Sequence, residues 1–211
     1  MIVEHFPVGL LLCNCVILGD ERTKQAVVVD PGDDVGRIEA ALAKHGLTAI
    51  AIVATHAHID HVGGLADLKR ATGGKTMLHE ADLELYQDLA EQAQWLGVAT
   101  PAVTAIDAFL DDGGKVEFGA LEIKVLHTPG HSPGSVTFVT SGDAPLILSG
   151  DTLFNGSIGR TDLWGGSYGA IISSIKSRLL SLPDECAVIC GHGPTTTIGH
   201  ERATNPFLTE V

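Results

Sequence analysis

Residues Thr55 to His61 read THAHIDH, three histidines and one aspartate directly after the apolar run AIAIVA. Imidazole nitrogens and carboxylate oxygens are the donors that divalent transition ions take. His56 and His58 stand two apart in what reads as a loop, so both rings can turn to one point. Asp60 and His61 can face a second point, at the ~3.5–4 Å separation of a two-metal centre. Two cations that close need an anion between them, and Asp151, which ends LILSGD, is the expected bridge. His131 is expected to complete the first site and His192 the second.

These residues need elements to position them. The chain alternates short strand-like runs with amphipathic stretches, which implies an α/β layered domain. Strands are predicted over NCVIL, QAVVVD, AIAIVAT, KTMLH, LEIKVLH, SVTFVT, PLILSG and CAVICG. Helices are predicted over 34–45, 63–72, 80–96 and 168–182; Val35, Ile38, Ala41 and Leu42 give the first its apolar stripe. The chemistry falls just past strand ends: Asp30 after VVV, the THAHIDH cluster, His131, Asp151 and His192. A rigid sheet holds loop residues in fixed geometry at such places. Asp30 and His127 are expected to orient metal-bound imidazoles, because such rings donate their second N–H to a partner. His79 ends a strand and reads equally as a pocket residue or an ordinary loop histidine.

The chain has 211 residues, 18% of them charged and 45% hydrophobic, the composition of a soluble globular protein. The formal charge of −13 repels phosphate backbones, so nucleic acid is excluded as a partner. No stretch is long enough to span a membrane, and the apolar run from Val8 to Leu18 follows Glu4 where a signal peptide would carry a basic residue. A cytoplasmic protein is expected. Cys13, Cys15, Cys186 and Cys190 lack metal-knuckle spacing and are expected as reduced, packed side chains. Trp95, Leu96, Trp164 and Phe207 are expected mostly in the core.

THAHIDH, PGHSPGS, SGDTLF and GHGP, in that order, resemble the signature of the metallo-β-lactamase superfamily. The resemblance runs from VDPG to ERATNPF and implies an αββα sandwich as a single domain over residues 1–211, with two divalent ions at one edge of the sheets. Asp151 sets the chain apart from lactam-hydrolysing relatives, which lack a bridging aspartate there. GDTLFNGSIGRTDLWGGS and the tail GHGPTTTIGHERATNPF are similar to the short bacterial type II glyoxalases, the hydroxyacylglutathione hydrolases. The full-length forms add a C-terminal helical region for glutathione, which is not expected here.

The implied activity is hydrolysis of a thioester, S-D-lactoylglutathione to D-lactate and glutathione, by a metal-bridging hydroxide. Asp60 and Asp151 are the expected catalytic residues, Arg160 the residue that meets a glutathione carboxylate, and zinc the expected metal, with iron or manganese also compatible. A thiolate leaves readily without strong acid help, so no side-chain nucleophile is required. The alternative is a mononuclear-iron persulfide dioxygenase of the same superfamily, using His56, His131 and Asp151.

Overall fold

The apolar runs fold into two six-stranded sheets packed face to face, in a computed structural model that describes residues 1–142 and 145–209. The first sheet runs in chain order: β1 (Ile2–Val8), β2 (Cys13–Gly19), β3 (Gln25–Val29), β4 (Thr48–Val53), β5 (Lys75–Leu78) and β6 (Ala108–Phe109). The second contains β7 (Lys115–Phe118), β8 (Leu121–His127), β9 (Val136–Thr140) and β10 (Leu146–Gly150). A small hairpin, β11 (Leu153–Phe154) and β12 (Ser157–Ile158), precedes β13 (Ala187–Cys190) and β14 (Thr196–Thr197), giving the order β14-β13-β10-β9-β8-β7.

Side chains alternate across each strand. Val16, Leu18, Val27 and Val53 of the first sheet meet Phe118, Val125, Phe138 and Leu148 of the second in the central core. Cys13, Cys15 and Ile17, on the other face of β2, pack against α1 (Val35–His45) and the helices that follow. The outer face of the second sheet is covered by Ile171, Ile175 and Leu179. Helices therefore lie on both outer faces, the expected αββα sandwich.

All eight predicted strands are present. The helices differ in detail. The expected helix at 63–72 is preceded by a separate turn, α2 (Ile59–Val62), before α3 (Leu65–Thr72), so Asp60 and His61 sit on a short helix rather than a loop. The stretch 80–96 divides into a 3-10 turn over Glu80–Asp82, α4 (Leu83–Gln87) and α5 (Leu89–Leu96). The stretch 168–182 begins as α6 (Tyr168–Ser174) and widens to a π-helical turn over Ile175–Leu179, closed by the Leu180 N–H donating to the Ile175 carbonyl at 2.9 Å. The chain closes through α7 (Ile198–Thr204) and α8 (Pro206–Thr209). No helix among the described residues is long and apolar enough to cross a membrane. The four cysteines are free and buried.

Candidate metal centre and its cleft

The ends of β4, β8, β10 and β13 meet at one edge of the sandwich, and the segments after them bring seven side chains together. His56, His58 and His131 form one group, and Asp60, His61 and His192 another; His56, His61 and Asp151 converge between them. Asp151 faces both: Oδ2 lies 3.5 Å from His131 Nε2, and Oδ1 lies 3.4 Å from His61 Nε2 and 3.7 Å from His192 Nε2. Asp60 Oδ2 lies 3.1 Å from His192 Nε2.

The tautomers follow from the outer partners, since a ring nitrogen facing a carbonyl or carboxylate carries the proton. His61 Nδ1 donates to Asp30 Oδ2 at 2.9 Å, His131 Nδ1 to the Arg160 carbonyl at 2.8 Å, and His192 Nδ1 to the Leu11 carbonyl at 3.0 Å. Thr55 Oγ1 gives its proton to Asp30 Oδ2 at 2.8 Å and so accepts from His56 Nδ1 at 3.1 Å. Each of these rings then points a bare Nε2 inward. The His61 and His192 Nε2 atoms lie 3.2 Å apart, and His56 Nε2 and Asp151 Oδ1 are buried with no hydrogen-bond partner among the described residues. Buried polar atoms are rarely left so. This donor set fits divalent cations and is poorly satisfied without them.

The field agrees with the geometry. Burial opposes charge on His61, yet Cys13 and then Asp151, Asp30 and Asp60 hold its pKa well above the ordinary range. Burial and the surrounding imidazoles press His56 well below that range, and burial takes His58 down to about 3. Burial also raises Asp60 and Asp151, but neighbouring histidines more than offset it, so both carboxylates stay ionised. His56 and His58 are therefore neutral imidazoles with free lone pairs, and Asp60 and Asp151 ionised carboxylates, the protonation states that metal donors require.

Two glycines are required by close approach. A Cβ on Gly32, in VDPG, would overlap the Asp60 carbonyl, and one on Gly150 (φ +50°) would overlap the Thr55 side chain. Pro31-Gly32 thus seats α2, and Gly150 turns β10 toward Asp151.

Three positioning groups were not legible in the sequence. Asp82, fully buried in the 3-10 turn, accepts from the Ala57 N–H at 3.0 Å, Ser132 Oγ at 2.7 Å and the Gly134 N–H at 2.5 Å. It ties the loop carrying His56 and His58 to the loop carrying His131. Gln92 of α5 accepts from the Ile59 N–H at 2.8 Å and donates to the Ala57 carbonyl at 3.2 Å. Thr55 fixes Asp30 and His56 at once, as described.

Asp30 thus stands where an orienting residue was expected. His127 does not. It stacks on His79, centroids 4.2 Å apart, and its Nε2 donates to the Pro133 carbonyl at 2.9 Å. Its strand-end position puts it one loop away from the imidazoles, so it buttresses the segment after His131 and contacts no metal-centre ring. His79 also stays outside, its Nδ1 accepting from the Ala81 N–H at 3.2 Å.

A cavity of about 490 Å³ opens beside the centre, lined by His58, Asp60, His131 and Asp151 together with Arg160, Trp95 and Trp164. Trp95 and Trp164 are 68% and 51% exposed, not core residues as their size suggested. Phe207 is exposed too, while Leu96 is partly buried against the core. The Arg160 guanidinium is at the cavity and forks onto both oxygens of Asp162, each at 2.8 Å.

The sequence profile described as the metallo-beta-lactamase superfamily matches residues 8–192. The chain belongs to that superfamily. Within this superfamily of metallo-hydrolases, hydroxyacylglutathione hydrolase GloC of Haemophilus influenzae is 38% identical, over 99% of this chain and 98% of its own. Among solved structures, the BLEG-1 B3 metallo-beta-lactamase superposes with a TM-score of 0.91 at 36% identity, covering 99% of this chain and 100% of that one. TTHA1623 in a di-iron-bound form gives a TM-score of 0.87 at 42% identity, covering 96% and 98%. ETHE1 from Myxococcus xanthus gives 0.81 at 27% identity, covering 98% and 84%. A neighbour described as a B3 lactamase this similar over the full chain means that kinship alone does not separate the chain from lactamases.

Proposed function

We propose that the chain is a two-metal thioester hydrolase acting on a glutathione-linked 2-hydroxyacyl substrate, S-D-lactoylglutathione giving D-lactate and glutathione. One observation carries this reading: Asp151 presents one oxygen to each of two donor groups, at the floor of a cleft whose mouth holds an arginine. The likeness to a hydroxyacylglutathione hydrolase supports the substrate class.

His56, His58, His131 and Asp151 would hold the first ion, and Asp60, His61, His192 and Asp151 the second. Ions held there supply Lewis acidity, a water that ionises near neutral pH and a polarised carbonyl. The rest is the work of the chain. Asp30 and the Arg160 carbonyl keep the His61 and His131 rings in their tautomers. Asp60 remains an ionised carboxylate at the cleft, where it would accept a hydrogen bond from the attacking water and orient it. Trp95 and Trp164 wall the cleft and limit bulk water. A thiol of pKa ~8.5 leaves as thiolate, so no general acid is needed. Zinc is the resident metal in this reading, and the reduced cysteines suit the cytoplasm.

The test is thiol release from S-D-lactoylglutathione by metal-quantified protein, with and without chelator. Chelator-sensitive release with two ions per chain is expected; no release from metal-loaded protein rejects the reading. Hydrolysis of a β-lactam instead would place the chain with the lactamase neighbour. The likeness to ETHE1 favours a second reading, persulfide oxidation at one iron on His56, His131 and Asp151. Oxygen uptake with glutathione persulfide would mark it.

Arg160→Ala is expected to raise KM about fivefold with kcat near wild type, because an exposed ion pair with a substrate carboxylate contributes on the order of 1 kcal/mol. An unchanged KM removes Arg160 from the substrate site.

A further inference from the structure

The main chain of Arg160 is fixed to the metal centre from two sides. Its carbonyl accepts from His131 Nδ1 at 2.8 Å, and Gly159 before it lies so close to Asp151 that an added Cβ would overlap the Asp151 carbonyl. The far end of the segment is tied as well, Ser167 N–H donating at 2.8 Å to the Gly130 carbonyl in the loop that carries His131. The root of the arginine is therefore set. Its long, flexible side chain is 52% exposed, and among the described residues Asp162 alone accepts from it.

Asp162 stands two residues further on. Arg160, Leu163 and Trp164 line the cleft, and Asp162 does not. Its two oxygens take Nε and Nη2, one edge of the guanidinium plane, at 2.8 Å each. A guanidinium has five N–H donors in a rigid fork. Both Nη1 hydrogens and the second Nη2 hydrogen therefore stay free, and they form an edge that a second carboxylate can take bidentately. An exposed ion pair between residues this close in sequence adds little to folding. What it fixes is the heading of the arginine.

We propose that Asp162 is a positioning residue for substrate recognition: it grips Arg160 from outside the cleft, so that the free edge of the guanidinium meets the carboxylate of the thiol carrier. The inference rests on the thioesterase reading and deepens it. Loss of Asp162 has two consequences of opposite sign. The mouth of the cleft gains positive charge, which favours an anionic substrate and lowers KM. The arginine regains rotamer freedom that binding must then remove, which raises KM. The exposed charge is screened by water and salt, whereas a bidentate contact needs both N–H groups aligned, so the second consequence outweighs the first. A carboxylate that merely competed with the substrate for Arg160 would give the reverse sign.

The test is steady-state hydrolysis of S-D-lactoylglutathione by the metal-loaded full chain. Asp162→Ala is expected to raise KM about threefold with kcat near wild type, somewhat less than the loss of Arg160 itself. In an Arg160→Ala background the same substitution should leave KM where Arg160→Ala alone puts it, a coupling that a merely structural role would not produce. A KM that falls or does not move in Asp162→Ala, or an equal rise when Arg160 is already gone, overturns the positioning role and leaves the hydrolase standing. Absence of turnover by the wild-type chain rejects both.

Discussion

Asp151→Ala is expected to lose metal and activity together. Among the described residues the carboxylate is the one anion facing both donor groups, with Oδ2 toward His131 and Oδ1 toward His61 and His192. Its Oδ1 is buried and unpartnered, so alanine removes no protein hydrogen bond at that atom, and the loss is one of cation binding rather than of folding. Without it, five imidazoles and Asp60 must hold two mutually repelling cations. Partners one layer further out typically matter 10–100-fold for metal affinity, so removal of a bridging anion should cost at least about a hundredfold, and on the order of a thousandfold in kcat/KM. Asp151→Asn keeps the shape and removes the charge, which separates the two contributions. Metal analysis after dialysis is the measurement, and two ions per chain in the alanine variant would sink the bridge.

The second large effect belongs to Asp82, which lies behind the metal-centre loops and does not line the cleft. Burial pushes its carboxyl up, and donation from Ser132, Gly134 and Ala57 draws it back. Alanine here strands three buried donors, each costing roughly 1–3 kcal/mol. A loss of at least about 3 kcal/mol follows, which in a chain of this size lowers Tm by roughly 6–12 °C. It also frees the His56–His58 loop from the His131 loop, so metal affinity should fall with stability. Asp82→Asn, which keeps one acceptor oxygen, should lie between. Calorimetry and metal titration together decide: wild-type Tm and wild-type metal affinity in the alanine variant would remove Asp82 from this role.

The contrast between these two aspartates shows what a sequence discloses. Asp151 was legible because it follows an apolar strand, where a polar residue has little reason to stand except to act. Asp82 lies in EADLELYQ, which reads as ordinary helix surface, and its partners are 25, 50 and 52 residues away along the chain. Gln92 is hidden in the same way. The eight strands announced themselves by β-branched runs bounded by turns. β1 did not, because Glu4, His5 and Pro7 interrupt IVEHFPV, and this edge strand exposes alternate residues. β6, β11, β12 and β14 span two residues each, too few to show any period. The long helix expected over 80–96 breaks at Asp88, where the backbone turns (φ −94°, ψ +25°) while the apolar spacing continues. His127 was misplaced because a strand-end histidine looks alike whether the next loop curls over it or away.

The two sheets are joined very differently at their two ends. At the metal-centre end the joints include two that are backbone to backbone, Asn14 N–H to the Gly191 carbonyl at 2.7 Å and Val136 N–H to the Thr55 carbonyl at 2.7 Å, beside the Asn14 side-chain amide donating to the Cys190 carbonyl at 2.9 Å. At the other end the sheets are joined through side chains, Ala120 N–H to Asp20 Oδ2 and Gly119 N–H to Gln25 Oε1, each at 2.8 Å. The sandwich is therefore stitched main chain to main chain along its reactive edge, so groups drawn from both sheets share a common frame there.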